Sequence, residues 1–286
     1  MNCLTPVVRS RKTYKHVNGK PVPVKTEYYL CGCGKCVPCM LAEQRDWAFR
    51  LMLEAEVNDT AFFITLTFND ENLPEDNCVH PKDVQRFMNT LRKKLERISK
   101  SKGICVPKLS YFAVGEYGRK ENRPHYHIML YNFPIHRVFD MYRVVCDLWN
   151  RGFVKVEFCT PQTCNYVCKY MMKLDPREHD VPPFRLMSRR PAIGYRYFME
   201  HGDVLEFMNR PETSTLHFRD GKSYRIPRSI RRKFFRIDKL EYCREMCKVD
   251  LDFLVYHSED LKKRVASGHL KNEELKKRVE SKFFNR

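Results

Sequence analysis

The stretch Arg123-Pro124-His125-Tyr126-His127-Ile128-Met129-Leu130 reads as the start of a strand running on to Tyr131. In a strand, residues i and i+2 share a face, so His125 and His127 project together. Two imidazoles at that spacing can hold one metal ion, although two histidines on a strand are also common as plain surface residues. The preceding segment, Leu109 to Tyr117, reads as a second strand, joined to the first by a polar loop with Gly118 and Pro124. A hairpin through that loop brings Glu116 beside the histidines. One carboxylate with two imidazoles makes a three-ligand site that leaves positions open for substrate oxygens. A metal so held acts as a Lewis acid on a phosphate.

Working outward, Ala61 to Phe68 is a β-rich run with few polar residues, consistent with a central strand. Val84, Phe87, Met88, Leu91, Leu95 and Ile98 fall on one face of a helix, with Arg86, Arg92, Lys93 and Lys94 mostly off it. A helix over about 136–150 precedes a strand at Phe153 to Phe158. Thr160-Pro161 is a cap and first turn, and the helix it opens carries Tyr166 to Lys173. The order β-α-β-β-α-β-α predicts an α+β sandwich on an antiparallel sheet.

At the N-terminus, residues 7–17 and 22–30 read as two strands around Asn18-Gly19, a favoured hairpin-turn pair. A cysteine cluster and a helix over roughly 39–57 follow. Beyond Pro176 the signal weakens: Pro182-Pro183 and Pro191 mark a loop, and residues 238–286 read as charged helices. No internal repeat or low-complexity segment is present.

Tyr166 and Tyr170 are i and i+4 on their helix and so are neighbours on one face, with Lys169 and Lys173 close to it. The segment alone also reads as an ordinary amphipathic helix. A metal nearby changes the balance. A free phenol titrates near 10, so only about one in a thousand is ionised at neutral pH, a deficit of about 4 kcal/mol. Nearby ammonium groups and a polarised phosphate offset it by stabilising developing negative charge.

The 286 residues carry 53 Lys and Arg against 35 Asp and Glu, a formal charge of +18. That balance favours a polyanionic partner. A membrane is disfavoured because the longest apolar stretch, Ala61 to Phe68, is far too short to span a bilayer. Met1 to Pro6 runs into a basic segment without a signal-peptide pattern, which predicts a cytoplasmic protein. The 13 cysteines are then expected as thiols or metal ligands rather than disulfides. Cys31, Cys33, Cys36 and Cys39 give C-x-C-x2-C-x2-C, and x2 spacing suits tetrahedral zinc. Four in so short a span are crowded for one ion, so a remote Cys3 is the candidate to replace Cys31. Reduced thiols in a tight Gly-rich turn are the competing reading, and an iron–sulfur centre the less favoured one. Arg225, Arg228, Arg231, Arg232, Lys233 and Arg236 form a dense basic run interleaved with Tyr224, Phe234 and Phe235. Cations with stackable rings suit single-stranded DNA; a solvated helix face is the plain alternative.

Ile64-Thr65-Leu66-Thr67, the His125-Tyr126-His127 core and the Tyr166/Tyr170 helix resemble the three motifs of HUH endonucleases that initiate rolling-circle replication. The match is closer still to replication initiators of small single-stranded DNA phages, the Microviridae, and the gokushoviruses in particular. Cys33-Gly34-Lys35-Cys36, Glu71-Asn72-Leu73-Pro74, Gly115-Glu116-Tyr117-Gly118, Arg190-Pro191-Ala192-Ile193-Gly194 and Ile226-Pro227-Arg228 are similar to that group. The resemblance spans roughly residues 1–235.

It implies a five-stranded antiparallel sheet flanked by helices, with the histidines on a central strand and the tyrosine helix alongside. It implies Mg²⁺ or Mn²⁺ on His125, His127 and Glu116, and Tyr166 and Tyr170 as nucleophiles that alternate between successive cleavages. Lys169 and Lys173 are expected at the phosphate, and Arg123 with Arg225, Arg228, Arg231, Arg232 and Lys233 on the DNA. The implied activity is nicking of single-stranded or replicative-form phage origin DNA in the bacterial cytoplasm. The enzyme stays on the 5′ phosphate, and the 3′ hydroxyl serves a host polymerase and helicase. The expected organisation is an N-terminal hairpin, Cys cluster and helix (1–57), an HUH core (58–176), a basic loop-rich extension (177–236) and C-terminal charged helices (237–286).

A non-catalytic zinc-containing regulator explains the charge and cysteines, but not the joint occurrence of Glu116, the histidines and the tyrosines. An HUH relaxase commonly adds a third histidine, and a transposase of this type usually carries one tyrosine on that helix. No Gly-x4-Gly-Lys-Ser/Thr loop is present, which argues against an intrinsic ATP-driven helicase.

Overall fold

A computed structural model of the chain describes residues 3–118, 122–170, 181–210, 212–218, 221–245, 248–249 and 258–284. In chain order these form β1 (Val7–Val17), β2 (Lys20–Cys31), α1 (Val37–Glu56), β3 (Ala61–Thr67), α2 (Pro81–Lys102), β4 (Ser110–Tyr117) and β5 (Pro124–Tyr131). Next come α3 (Val138–Trp149), β6 (Val154–Phe158), α4 (Pro161–Lys169), β7 (Phe184–Met187), α5 (Tyr195–Glu200) and α6 (Gly202–Met208). The remainder gives β8 (Thr215–His217), β9 (Ser223–Arg225), α7 (Arg228–Phe234), α8 (Ile237–Glu245), β10 (Lys248–Val249) and α9 (Ser258–Phe284). The chain divides into two compact units, Gln44–Met208 with Ser214–Ile230, and Met1–Glu43 with Asn209–Thr213 and Arg231–Arg286.

The first unit is built on a five-stranded sheet of order β6-β3-β5-β4-β7, every neighbouring pair antiparallel. Strand periodicity sorts its residues. Phe62, Ile64 and Leu66 of β3 and Tyr126, Ile128 and Leu130 of β5 point into a core shared with Val84, Phe87, Met88, Leu91 and Leu95 of α2 and with Met141, Val145 and Trp149 of α3. Removing each such side chain from water contributes about 1.5–3 kcal/mol. The alternate residues, Phe63, Thr65, His125 and His127, lie on the opposite face. Helix α2 opens on Pro81 and stops at Gly103, whose φ of 64° suits a residue without a Cβ. Helix α4 opens with a reciprocal cap: the Thr160 hydroxyl accepts from the Thr163 N–H at 3.2 Å, and the Thr163 hydroxyl accepts from the Thr160 N–H at 2.8 Å.

The fifth strand lies where the sequence reads as loop. β7 pairs antiparallel with β4 through Phe112↔Met187, Ala113↔Leu186, Val114↔Arg185 and Gly115↔Phe184. It is a short edge strand between Pro183 and Pro191, and prolines are tolerated at sheet edges. Gly115 makes the pairing possible, because a Cβ there would come within 2.4 Å of the Phe184 ring. The β8–β9 hairpin also falls in the segment that reads as loop. The tyrosine helix is shorter than its pattern suggests: α4 ends at Lys169 and Tyr170 is its C-cap, still in the right-handed helical region. Lys173, expected beside the tyrosines, lies outside the described residues.

In the second unit β1 and β2 form a hairpin whose turn residues Asn18 and Gly19 have φ of 52° and 74°. Two positive φ values in a two-residue loop match the twist of the strands. β10 extends the hairpin at Tyr28 and Tyr29, a strand inside the region expected to be wholly helical. The Asn272 side chain of α9 accepts from the Val37 N–H at 2.7 Å and so satisfies one free donor at the start of α1. Gly268 lets α9 approach the N-terminal segment, since a Cβ there would lie 2.0 Å from the Leu4 carbonyl oxygen.

Candidate active site

The register of the sheet assembles the site. Glu116 of β4 lies opposite His125 of β5, while Thr65 and Thr67 of β3 lie opposite His127 and His125. These side chains share the face turned away from the α2/α3 core. Glu116 and His127 are both 4% exposed, and His127 Nε2 faces Glu116 Oε1 at 3.2 Å. On its other side His127 Nδ1 contacts the Thr65 hydroxyl at 3.1 Å. Thr65 was not singled out by type or spacing; only the cross-strand register reveals it as the group that orients the imidazole.

His125 is held differently. Its Nδ1 lies 2.6 Å from the Arg123 carbonyl oxygen, so Nδ1 carries the proton and Nε2 keeps a lone pair. Gly118 leaves space for this ring, because a Cβ would sit 2.7 Å from His125 Cε1. Glu116, His125 and His127 do not converge as closely as three bound ligands. Among the described residues, the one group of three or more with all ligand atoms within 4.8 Å of each other is Cys3, Cys33, Cys36 and Cys39. The Glu116–His127 pair nevertheless fits a hard divalent ion: bonds of about 2.1 Å in octahedral geometry separate neighbouring ligand atoms by about 3 Å. The His125 Nε2 lone pair on the same face completes a donor set of one oxygen and two nitrogens, suited to Mn²⁺ or Mg²⁺.

Both tyrosines meet His127. The Tyr170 ring stacks on the imidazole with centroids 4.7 Å apart and planes 12° from parallel. Tyr166 meets it edge-on at 5.7 Å and 85°. Phe63 closes the group, 5.6 Å from His127 and 6.0 Å from Tyr166. The Tyr170 hydroxyl donates to the Tyr166 hydroxyl. Tyr166 is 41% exposed, so its oxygen is open to a substrate. Lys169 is exposed on the same helix. Tyr126, between the two histidines, points the other way. It is wholly buried, its hydroxyl donates to Asp83 at 2.9 Å and accepts from the His80 N–H at 3.0 Å, and burial pushes its phenol far above the ordinary range.

The sulfur atoms of Cys3 and Cys36 are 3.7 Å apart, and those of Cys33 and Cys39 join them; Cys31 is not in the group. Backbone N–H groups point at the sulfurs, from Cys33 to Cys3 at 3.3 Å and from Lys35 and Cys36 to Cys33 at 3.3 and 3.2 Å. Burial alone would raise the Cys33 thiol; the Thr5 hydroxyl and these N–H donors outweigh it and bring the thiol down to about 6. Burial pushes Cys39 up to about 12.

Of the cations expected on DNA, Arg123 is tied inward: it pairs with Asp70 at 2.6 Å and donates to the Phe68 carbonyl at 3.2 Å. Arg225, Arg228, Arg232 and Lys233 are exposed, and Arg231 is half-buried. Among the described residues no helix is long and apolar enough to cross a membrane.

The family model for replication-associated proteins of the ORF2 type matches residues 61–175, which span β3 to α4 and the whole tyrosine and histidine group. Replication-associated protein ORF2 of Spiroplasma virus 4 is 30% identical over 227 residues, covering 71% of this chain and 67% of that protein. Replication-associated protein VP4 of Bdellovibrio phage phiMH2K is 29% identical over 219 residues, covering 70% and 68%. Replication-associated protein ORF4 of Chlamydia phage 1 is 24% identical over 265 residues, covering 85% and 61%. A solved N-terminal nuclease domain of minute virus of mice non-structural protein-1 aligns with 57% of this chain and 83% of its own, at 11% identity and a TM-score of 0.21, too slight a likeness to bear on function.

Proposed function

The chain belongs to the family of phage replication-associated proteins that its Microviridae relatives share, and on that premise we propose that it nicks origin DNA to start rolling-circle replication. The carrying observation is that His127 touches both phenol rings while its Nε2 faces Glu116. The Tyr166 oxygen attacks the scissile phosphorus as the bond to the 3′ oxygen breaks. A 5′-phosphotyrosine forms, the phenolic proton passes to water, and the departing 3′ oxygen is protonated. The Tyr170 hydroxyl, which donates to Tyr166, stabilises the charge that develops on the attacking oxygen. Glu116, His125 and His127 would hold Mg²⁺ or Mn²⁺, which supplies a Lewis acid for the phosphate. Lys169, exposed beside the tyrosines, neutralises the same phosphate. Tyr170 becomes the nucleophile of the following cleavage, which releases and rejoins the displaced strand. A host polymerase behind a host helicase extends the free 3′ hydroxyl.

The thiol group reads as structural zinc on Cys3, Cys33, Cys36 and Cys39. Tetrahedral zinc with bonds of about 2.3 Å separates its sulfurs by about 3.8 Å, and the Cys3–Cys36 distance of 3.7 Å supports this.

The test is incubation with Mn²⁺ and labelled single-stranded origin DNA, read on a denaturing gel. A covalent protein–DNA band from wild type, absent from the Tyr166→Phe/Tyr170→Phe double variant and from His127→Ala, is the expected result. Metal-independent binding with no adduct would instead favour a regulator without chemistry.

A further inference from the structure

All of β1 and the first seven residues of β2 are exposed, so among the described residues most of this hairpin stands as a ribbon with both faces open. An isolated two-stranded hairpin is marginal in water, and this one is secured at its base. β10 pairs with it at Tyr28 and Tyr29, and Cys3 and Cys33, which flank its two ends, converge in one thiol group. Between Val7 and Cys31 it carries Arg9, Arg11, Lys12, Lys15, Lys20 and Lys25 against a single carboxylate, Glu27. That carboxylate is already engaged by Tyr29 at 2.7 Å, Lys25 at 2.9 Å and Lys248 at 3.5 Å. The cations occupy both faces. Register puts Arg9, Arg11 and Lys25 on one, through Arg9↔Tyr29, Arg11↔Glu27 and Thr13↔Lys25, and Lys12, opposite Thr26, on the other.

We propose that the β1–β2 ribbon is a grip for double-stranded DNA, inserted in the major groove of the duplex on which the chain acts; this rests on the reading that its substrate is DNA. A two-stranded ribbon fits a groove about 12 Å wide. The 11 residues of β1 rise about 3.3 Å each, or about 36 Å in all, close to one turn of the double helix. Cations on both faces meet the two phosphate rows that wall a groove. Single-stranded DNA is the poorer fit, since it is held by stacking rings and the exposed part of the ribbon offers one tyrosine, Tyr14. A membrane surface requires an apolar face opposite a charged one, and here neither face is free of cations.

The experiment uses the full chain with Arg9→Gln, Arg11→Gln, Lys12→Gln and Lys15→Gln combined, all at exposed positions. Fluorescence anisotropy measures affinity for a short labelled duplex over a series of salt concentrations. Each lost phosphate contact removes about 0.9 from the log–log salt slope, so a fall of about 3 is expected. The charge-retaining pair Arg9→Lys and Arg11→Lys keeps the slope, and cleavage of a short single-stranded origin oligonucleotide stays at the wild-type rate. An unchanged duplex slope in the glutamine variant overturns the proposal, as does loss of binding to phosphatidylserine vesicles with duplex affinity intact. Wild type that shows the steep duplex slope but cleaves no oligonucleotide supports the ribbon and overturns the nicking mechanism instead.

Discussion

The imidazole of His127 lies flat against the phenol ring of Tyr170, with centroids 4.7 Å apart and planes 12° from parallel. A metal-ligand candidate and a nucleophile candidate thus pack as one unit, and the ring and hydroxyl of Tyr170 can be removed separately. Tyr170→Phe keeps the stack and deletes the nucleophile; Tyr170→Ala removes both.

We predict that Tyr166→Phe and Tyr170→Phe each still form one covalent adduct but fail to complete repeated cleavage and circle release. Tyr170→Ala is expected to lose, in addition, about 0.5–1.5 kcal/mol of support for His127, the usual worth of an aromatic pair. Adduct yield against Mn²⁺ concentration separates the two effects, because only the alanine variant shifts the metal midpoint. Full multi-round turnover by Tyr170→Phe would refute the division of labour.

Thr65 contacts His127 Nδ1 at 3.1 Å, on the side away from Glu116. Partners of this kind orient a ligating imidazole, and losing one costs about 10–100-fold in metal affinity. Thr65→Val should raise the Mn²⁺ requirement for adduct formation by that factor, and Thr65→Ser should restore it. A valine variant with wild-type metal dependence would reduce Thr65 to an ordinary strand residue.

Thr65 also marks the limit of what the chain discloses when read alone. The His125/His127 face and the Glu116 hairpin follow from a period of two over adjacent strands, and the Tyr166/Tyr170 pair from a local i, i+4 spacing. All of these are short-range patterns. The partnership of Thr65 with His127 depends on the β3–β5 register, set by residues 62 positions apart. The fifth strand, Phe184–Met187, is four residues between prolines and has too little pattern to announce itself; its one signature is Gly115 on the neighbouring strand, which clears space for Phe184. Cysteine spacing points to a cluster but does not choose between Cys31 and Cys3, since that choice is made by how residues 33 positions apart come together.

The cysteine group yields a sharp comparison. Cys3→Ser and Cys36→Ser should each lower bound zinc well below one equivalent, whereas Cys31→Ser, outside the group, should retain it. Chelator should lower the unfolding temperature of wild type and of Cys31→Ser, and leave Cys36→Ser unmoved. Metal analysis of the purified chain decides the matter directly: stoichiometric zinc in Cys36→Ser would mean that the ligand set is wrong.

Tyr126 sits between the two histidines in sequence and faces away from them in the fold, which gives it a signature in stability rather than activity. Its hydroxyl joins Asp83 and the His80 N–H, so Tyr126→Phe leaves those groups short of a partner and should cost about 1–3 kcal/mol. Burial holds the phenol protonated in the folded chain far above the ordinary value of about 10. A folded-state pKa above the unfolded one means that the contribution is complete below about pH 10 and declines as pH rises beyond it, where only the unfolded chain ionises. Denaturant titrations from neutral pH to pH 11 should therefore show wild type more stable than Tyr126→Phe at neutrality, with the gap narrowing above pH 10. A gap that widens with pH would mean that the phenol is ionised in the fold, and the assignment of Tyr126 to the core would fail.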